Sequence, residues 1–110
     1  MDASFTMKQG DTLPAMIGTL SDAVGVVDLT LASSVFLHVV HASTGVVVVN
    51  AACTVVNAVG GKVSYAWQSA DTAVAGDFEF EFLVTWSNGA MQRFPNTTTN
   101  LRLRIEDKLA

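Results

Sequence analysis

The sequence predicts an all-β fold of sandwich type with about seven to eight strands. Three observations predict it. Apolar side chains recur at every second position, most clearly from Asp77 to Ser87. Turn-forming pairs such as Gly60-Gly61 and Asn88-Gly89 punctuate the chain at intervals of about 8–12 residues. Val, Thr and Phe are abundant, and branched or aromatic side chains fit a pleated surface. No segment sustains a helical period. The chain has 110 residues, which fits a single domain spanning 1–110.

The elements follow in order. Ser4–Lys8 alternates with Phe5 and Met7 on one face, and Gly10-Asp11 turns the chain. Leu13–Leu20 reads as a further strand, which Pro14 marks as an edge. Asp22–Gly25 is a loop. Asp28–Ala32 reads as one short helical turn capped by Asp28. Val35–Ala42 is a strand, and Ser43-Thr44-Gly45 turns it into Val46–Asn57, a strand expected to break near Asn50. After Gly60-Gly61 comes Lys62–Gln68, with Val63, Tyr65 and Trp67 inward.

The strongest strand places Phe78, Phe80, Phe82, Val84 and Trp86 on one face and Glu79, Glu81, Leu83 and Thr85 on the other. Asn88-Gly89 suits a type I′ turn into Ala90–Phe94, and Pro95 ends the pairing. Leu101–Glu106 closes the fold, with Leu101, Leu103 and Ile105 inward.

Half of the residues are hydrophobic and 15% are charged, which demands a packed core. The net charge is −4, and the six Lys and Arg form no long stripe, so a nucleic-acid partner is not expected. Arg102 and Arg104, with Glu106 beside them, read as a solvated strand face. The single cysteine, Cys53, reads as a small buried hydrophobe and points to assembly in a reducing cytoplasm. Met1-Asp2-Ala3-Ser4 does not read as a signal peptide, and the apolar runs fall short of a membrane helix. No membrane partner is therefore expected. Asn96-Thr97-Thr98 matches a glycosylation sequon, which is without chemical meaning off the secretory route.

Residues with possible chemistry are better explained without it. His38 and His41 are three apart on a strand, so they point to opposite faces and cannot share a metal. Glu79 and Glu81 share a face at about 6–7 Å, a spacing known in glycosidases, but the aromatics lie on the other face. Trp67 and Trp86 fall on inward positions, which favours core packing over a sugar platform. No nucleophile elbow and no phosphate loop is present. The expectation is a non-enzyme with no catalytic, metal or cofactor site.

Asp71-Thr72-Ala73, followed by Gly76 and Phe78, narrows the fold to an immunoglobulin-like antiparallel β-sandwich, because such domains turn a corner on Asp-x-Ala before an aromatic. Phe78 has no hydroxyl for a tyrosine corner, and the Trp67 strand suits either strand C or strand E of that fold.

Several stretches then carry a resemblance. They are Gly10-Asp11-Thr12-Leu13-Pro14, Leu20-Ser21-Asp22 with Gly25, and Val27-Asp28-Leu29-Thr30. Gly61-Lys62-Val63-Ser64-Tyr65-Ala66-Trp67, Asp71-Thr72-Ala73 with Gly76 and Phe78, and Glu81-Phe82-Leu83-Val84-Thr85 follow. Asn88-Gly89 and Phe94-Pro95-Asn96 complete the set. In order and spacing the chain resembles the N-terminal Ig-like domain of the phage baseplate upper protein family.

That resemblance implies a structural virion protein of a tailed bacteriophage, attached to the tail or baseplate by protein–protein contacts. It implies other virion proteins as partners, many copies or a homo-oligomer in the particle, and assembly in the host cytoplasm. The end of the chain at Ala110 adds the alternative of a capsid- or tail-decoration protein. A carbohydrate- or surface-binding module is the further alternative. It requires solvent-facing aromatics.

The faces assigned to residues 78–86 are testable. Phe80→Ala and Phe82→Ala are each expected to cost ~3–5 kcal/mol of unfolding free energy, whereas Glu79→Ala and Glu81→Ala are mild. Unchanged melting temperatures for the Phe variants would show the faces to be reversed.

Overall fold

A computed structural model of the chain describes residues 4–95 and 101–109. Its strands are β1 (Ser4–Lys8), β2 (Met16–Thr19), β3 (Ala32–His41), β4 (Val47–Ala52), β5 (Thr54–Asn57), β6 (Lys62–Tyr65), β7 (Gly76–Trp86), β8 (Met91–Phe94) and β9 (Leu101–Glu106). They form a six-stranded sheet, in the order β1-β9-β7-β3-β4 with β8 also on β7, and a three-stranded sheet in the order β2-β6-β5. The two sheets pack as a sandwich around an apolar core, and no helix occurs among the described residues. All pairings are antiparallel except β1 with β9, which is parallel. The expectation of a wholly antiparallel fold is corrected at that one pair.

β7 is the centre of the large sheet. Phe78, Phe80, Phe82 and Val84 are buried, and Trp86 is half-buried near the strand end, so the period-two expectation holds. One side of β7 pairs with β3 from His41↔Phe78 to Ala32↔Trp86. The other side is divided: Gly76–Phe80 faces β9, and Phe82–Thr85 faces β8. β8 and β9 therefore occupy one lane, and β8 ends at Phe94 just before Pro95.

The β7–β8 hairpin forms as expected, but its turn is different. The loop has three residues, Ser87-Asn88-Gly89. The Gly89 N–H donates to the Trp86 carbonyl at 2.9 Å, and the Trp86 N–H donates to the Ala90 carbonyl at 2.7 Å. Only Gly89 takes a positive φ, +87°. A type I′ turn needs two such residues, and Asn88 avoids that cost because the third loop position supplies the reversal.

Residues 46–57 depart furthest from expectation. The break falls at Cys53 rather than near Asn50, and the two halves enter different sheets. The Cys53 N–H still donates to the Val35 carbonyl at 2.8 Å, a last rung of the large sheet, before Thr54 joins β6. Asn50 stays on the ladder opposite His38. One extra residue sits in β4: Val39 faces Val49 and Val40 faces Val47, so Val48 is bulged. The bulge returns Val47 to the outer face, where it is 58% exposed, while Val49 is in the core. This split yields nine strands among the described residues instead of seven or eight.

Other limits shift for local reasons. β2 starts at Met16, beyond Pro14, and β3 spans 32–41. Asp28 caps no helical turn. Its Oδ1 accepts the Thr30 N–H at 2.9 Å, and the Ala32 N–H reaches the Leu29 carbonyl at 3.0 Å, closing a single turn into β3. β6 stops at Tyr65, although Trp67 beyond it is still buried.

The corner between β6 and β7 explains that stop. Asp71 Oδ2 accepts the Tyr65 hydroxyl at 2.6 Å and the Gln68 N–H at 2.8 Å. Burial, and then the Asp71 carboxylate, push the Tyr65 phenol well above its ordinary range. Thr72 is fully buried, donates its hydroxyl to the Asp11 carbonyl at 2.8 Å and accepts the Gly10 N–H at 2.9 Å. The corner therefore ties the β6–β7 crossing to the loop after β1.

Gly61 makes the tightest approach in the fold. It has a φ of +65°, and a Cβ there would lie 2.7 Å from the Val27 carbonyl oxygen and 2.9 Å from that of Leu20. Gly61→Ala is expected to cost roughly 2–4 kcal/mol, against roughly 1–2 for Gly89→Ala, where φ is also positive but space is open. Equal losses in denaturant unfolding would show that the close approach is unimportant.

Candidate functional site

The outward face of the large sheet sets half-buried apolar side chains, Phe36, Val40 and Leu83, beside organised charge. Its rows follow from the register. Ala52, Phe36, Leu83 and Arg93 lie side by side across β4, β3, β7 and β8. The next row holds Asn50, His38 and Glu81, and the one after it Val47, Val40, Glu79 and Arg102. Beyond Leu83, Thr85 pairs with Met91, which is 66% exposed.

This face has two zones. The β3–β4 side, with Phe36, Val40 and Val47, is apolar. The β9 side is charged: Arg104 pairs with Asp77 at 3.4 Å and with Glu106 at 3.8 Å. Between the zones, Glu81 accepts the Arg93 Nε–H at 3.1 Å and lies 3.8 Å from His38 Nδ1. These pairs are solvent-screened, so they orient side chains and add little stability.

The apolar zone continues over the sandwich side. β4 and β5 are outer strands of their sheets, and Cys53 alone separates them. Together they present two neighbouring open edges, with every residue of β5 exposed. No Asp, Glu, Lys or Arg occurs between Asp28 and Lys62. Edge strands are normally guarded by charge, and this pair carries none, although the Val48 bulge twists β4 locally.

The residues singled out from sequence are placed as follows. His38 and His41 are not brought together: His38 faces Glu81, and His41 packs edge-on against Phe78 at 5.0 Å. Among the described residues no cluster of His, Cys, Asp and Glu could hold a metal. Glu79 and Glu81 do share the outer face: Glu81 pairs with Arg93, and Glu79, opposite Arg102, lines a cleft of about 510 Å³ that holds no aromatic but Phe78. Trp67 is in the core, where its indole N–H finds no acceptor among the described residues. Among the described residues no helix is long and apolar enough to cross a membrane. The sequon at Asn96-Thr97-Thr98 lies outside the described residues.

Phe36 was not distinguishable from sequence. Residues 35–40 are apolar on both faces apart from His38, so alternation gives no direction. No family model matches the chain, and no curated protein matches it.

Cys53 is half-buried, and burial pushes its thiol up to about 12. The thiol therefore stays protonated through neutral pH. Alkylation by iodoacetamide at pH 8 is expected to run at least ~10-fold slower in the folded protein than in denaturant. Equal rates would show the thiol to be open.

Proposed function

We propose that this protein is a non-enzymatic structural component of a tailed-bacteriophage virion, working through protein–protein contacts at the tail or baseplate. The observation that carries the contact reading is the uncharged β4–β5 margin beside the apolar half of the outer face. Unpaired backbone donors and acceptors next to exposed valines favour burial against another protein. The phage assignment rests on the resemblance in order and spacing from Gly10 to Pro95. Decoration of a capsid or tail is the alternative for the same surface.

The strand order supports an immunoglobulin-like sandwich within that reading. β2, β6 and β5 follow the order that such domains give strands B, E and D. β9, β7, β3 and β4 follow that of G, F, C and C′. In this alignment Trp67 follows strand E, and β1 lies against β9 instead of beside β2. The sheet-to-sheet span that a disulfide bridges in antibody domains is filled by Phe82, whose Cζ would stand 3.3 Å from a Cβ at Gly18.

Carbohydrate binding draws less support, because Phe36 is the one aromatic among the described residues placed on the outer face of a strand, and it is half-buried.

Mass spectrometry of gradient-purified particles is expected to find the protein in stoichiometric amount. Val47→Lys, an exposed edge change, is expected to lower its incorporation while leaving its melting temperature within a few degrees. Absence of the wild-type protein from particles ends the proposal.

A further inference from the structure

We infer that the open edge of β2 accepts an extended segment donated by a different protein chain, with alternate apolar side chains entering the cleft beside it. β2 ends the small sheet and, among the described residues, pairs only with β6. The Leu20 N–H donates to the Gly61 carbonyl at 2.8 Å, so antiparallel alternation turns Gly18 and Met16 toward β6 as well. The N–H and C=O groups of Ile17 and Thr19 are thereby directed to the unpaired side. They form a two-residue ladder for an incoming strand.

Alongside that ladder lies a cleft of about 490 Å³, within the size range of ligand-sized clefts. Met16, Phe80, Phe82, Phe94 and Leu101 contribute to its wall, and no charged residue lines it. An edge that offers main-chain bonds beside an uncharged apolar cleft fixes the chemistry of the occupant. It is a polypeptide, because the ladder needs alternating donors and acceptors. It is extended, with apolar side chains at every second position and no charge between them.

Residues 4–95 and 101–109 supply no donor. The alternating apolar segments of this protein at 62–65, 78–86 and 101–106 are already built into its own sheets. Residues 96–100, which join Pro95 to Leu101, read Asn-Thr-Thr-Thr-Asn and offer no large apolar side chain. The inference deepens the contact reading proposed above and rests on it. Its test uses purified protein without particles, so its failure leaves incorporation into particles a separate question.

The probe is a panel of synthetic nine-residue peptides in which Thr alternates with Ala, Val, Leu, Ile or Phe. Binding is read by fluorescence anisotropy and by amide hydrogen exchange. At least one peptide is expected to bind saturably with a Kd of ~1–100 µM and to slow exchange at the Ile17 and Thr19 amides. The same peptide N-methylated at alternate residues, which removes its main-chain donors, is expected to bind at least ~10-fold more weakly. So is wild-type peptide to Thr19→Lys, a change at an exposed position.

Three outcomes would overturn the inference. They are no saturable binding across the panel, protection confined to β4 and β5, or equal binding of the N-methylated peptide, which would mark the cleft as a site for small apolar groups only.

Discussion

The inner face of β7 is the constraint on which the rest of the sandwich depends. Phe78, Phe80, Phe82 and Val84 project from one central strand into one core. Each phenylalanine side chain removes ~150–250 Å² of surface from water. Such a strand must be flanked on both sides, which fixes β3 along one side and the β8–β9 lane along the other. It must also be covered, which brings the small sheet over it. Gly18 then sits where a larger residue would meet the Phe82 ring, so the closeness of the two layers depends on a missing side chain.

How much of this was legible in the sequence depends on contrast between the two faces of each strand. β7, β6 and β9 alternate apolar with charged or polar residues, and their faces are readable directly. β4 and β5 do not alternate: Val46–Val49 and Ala51–Val56 are apolar or small in both registers, so nothing local marks the bulge at Val48 or the crossing at Cys53. Both are settled by long-range pairing, with β3 in one case and β6 in the other. The same lack of contrast hid Phe36 on the outer face. The Asn88-Gly89 hairpin was legible as a hairpin, but its turn type was decided by one further residue, Ser87.

Charge is partitioned across the molecule as sharply as hydrophobicity. The β9 side of the outer face holds paired arginines and carboxylates, and the β4–β5 side holds none. The uncharged margin and the cleft beside β2 are two openings where apolar groups meet solvent. The two openings lie on opposite sides of the sandwich, because β4 and β5 end one side of their sheets while β1 and β2 end the other.

The parallel pairing of β1 with β9 has a mechanical consequence. Ser4 lies beside Arg102 and Lys8 beside Glu106, so the start of one strand and the finish of the other sit at opposite ends of a shared ladder. Tension drawn between residues 4 and 106 acts along the strands, not across them. It loads the rungs in shear, and they must fail together instead of opening one after another. A domain tethered in this way resists stretching far better than its equilibrium stability alone would suggest.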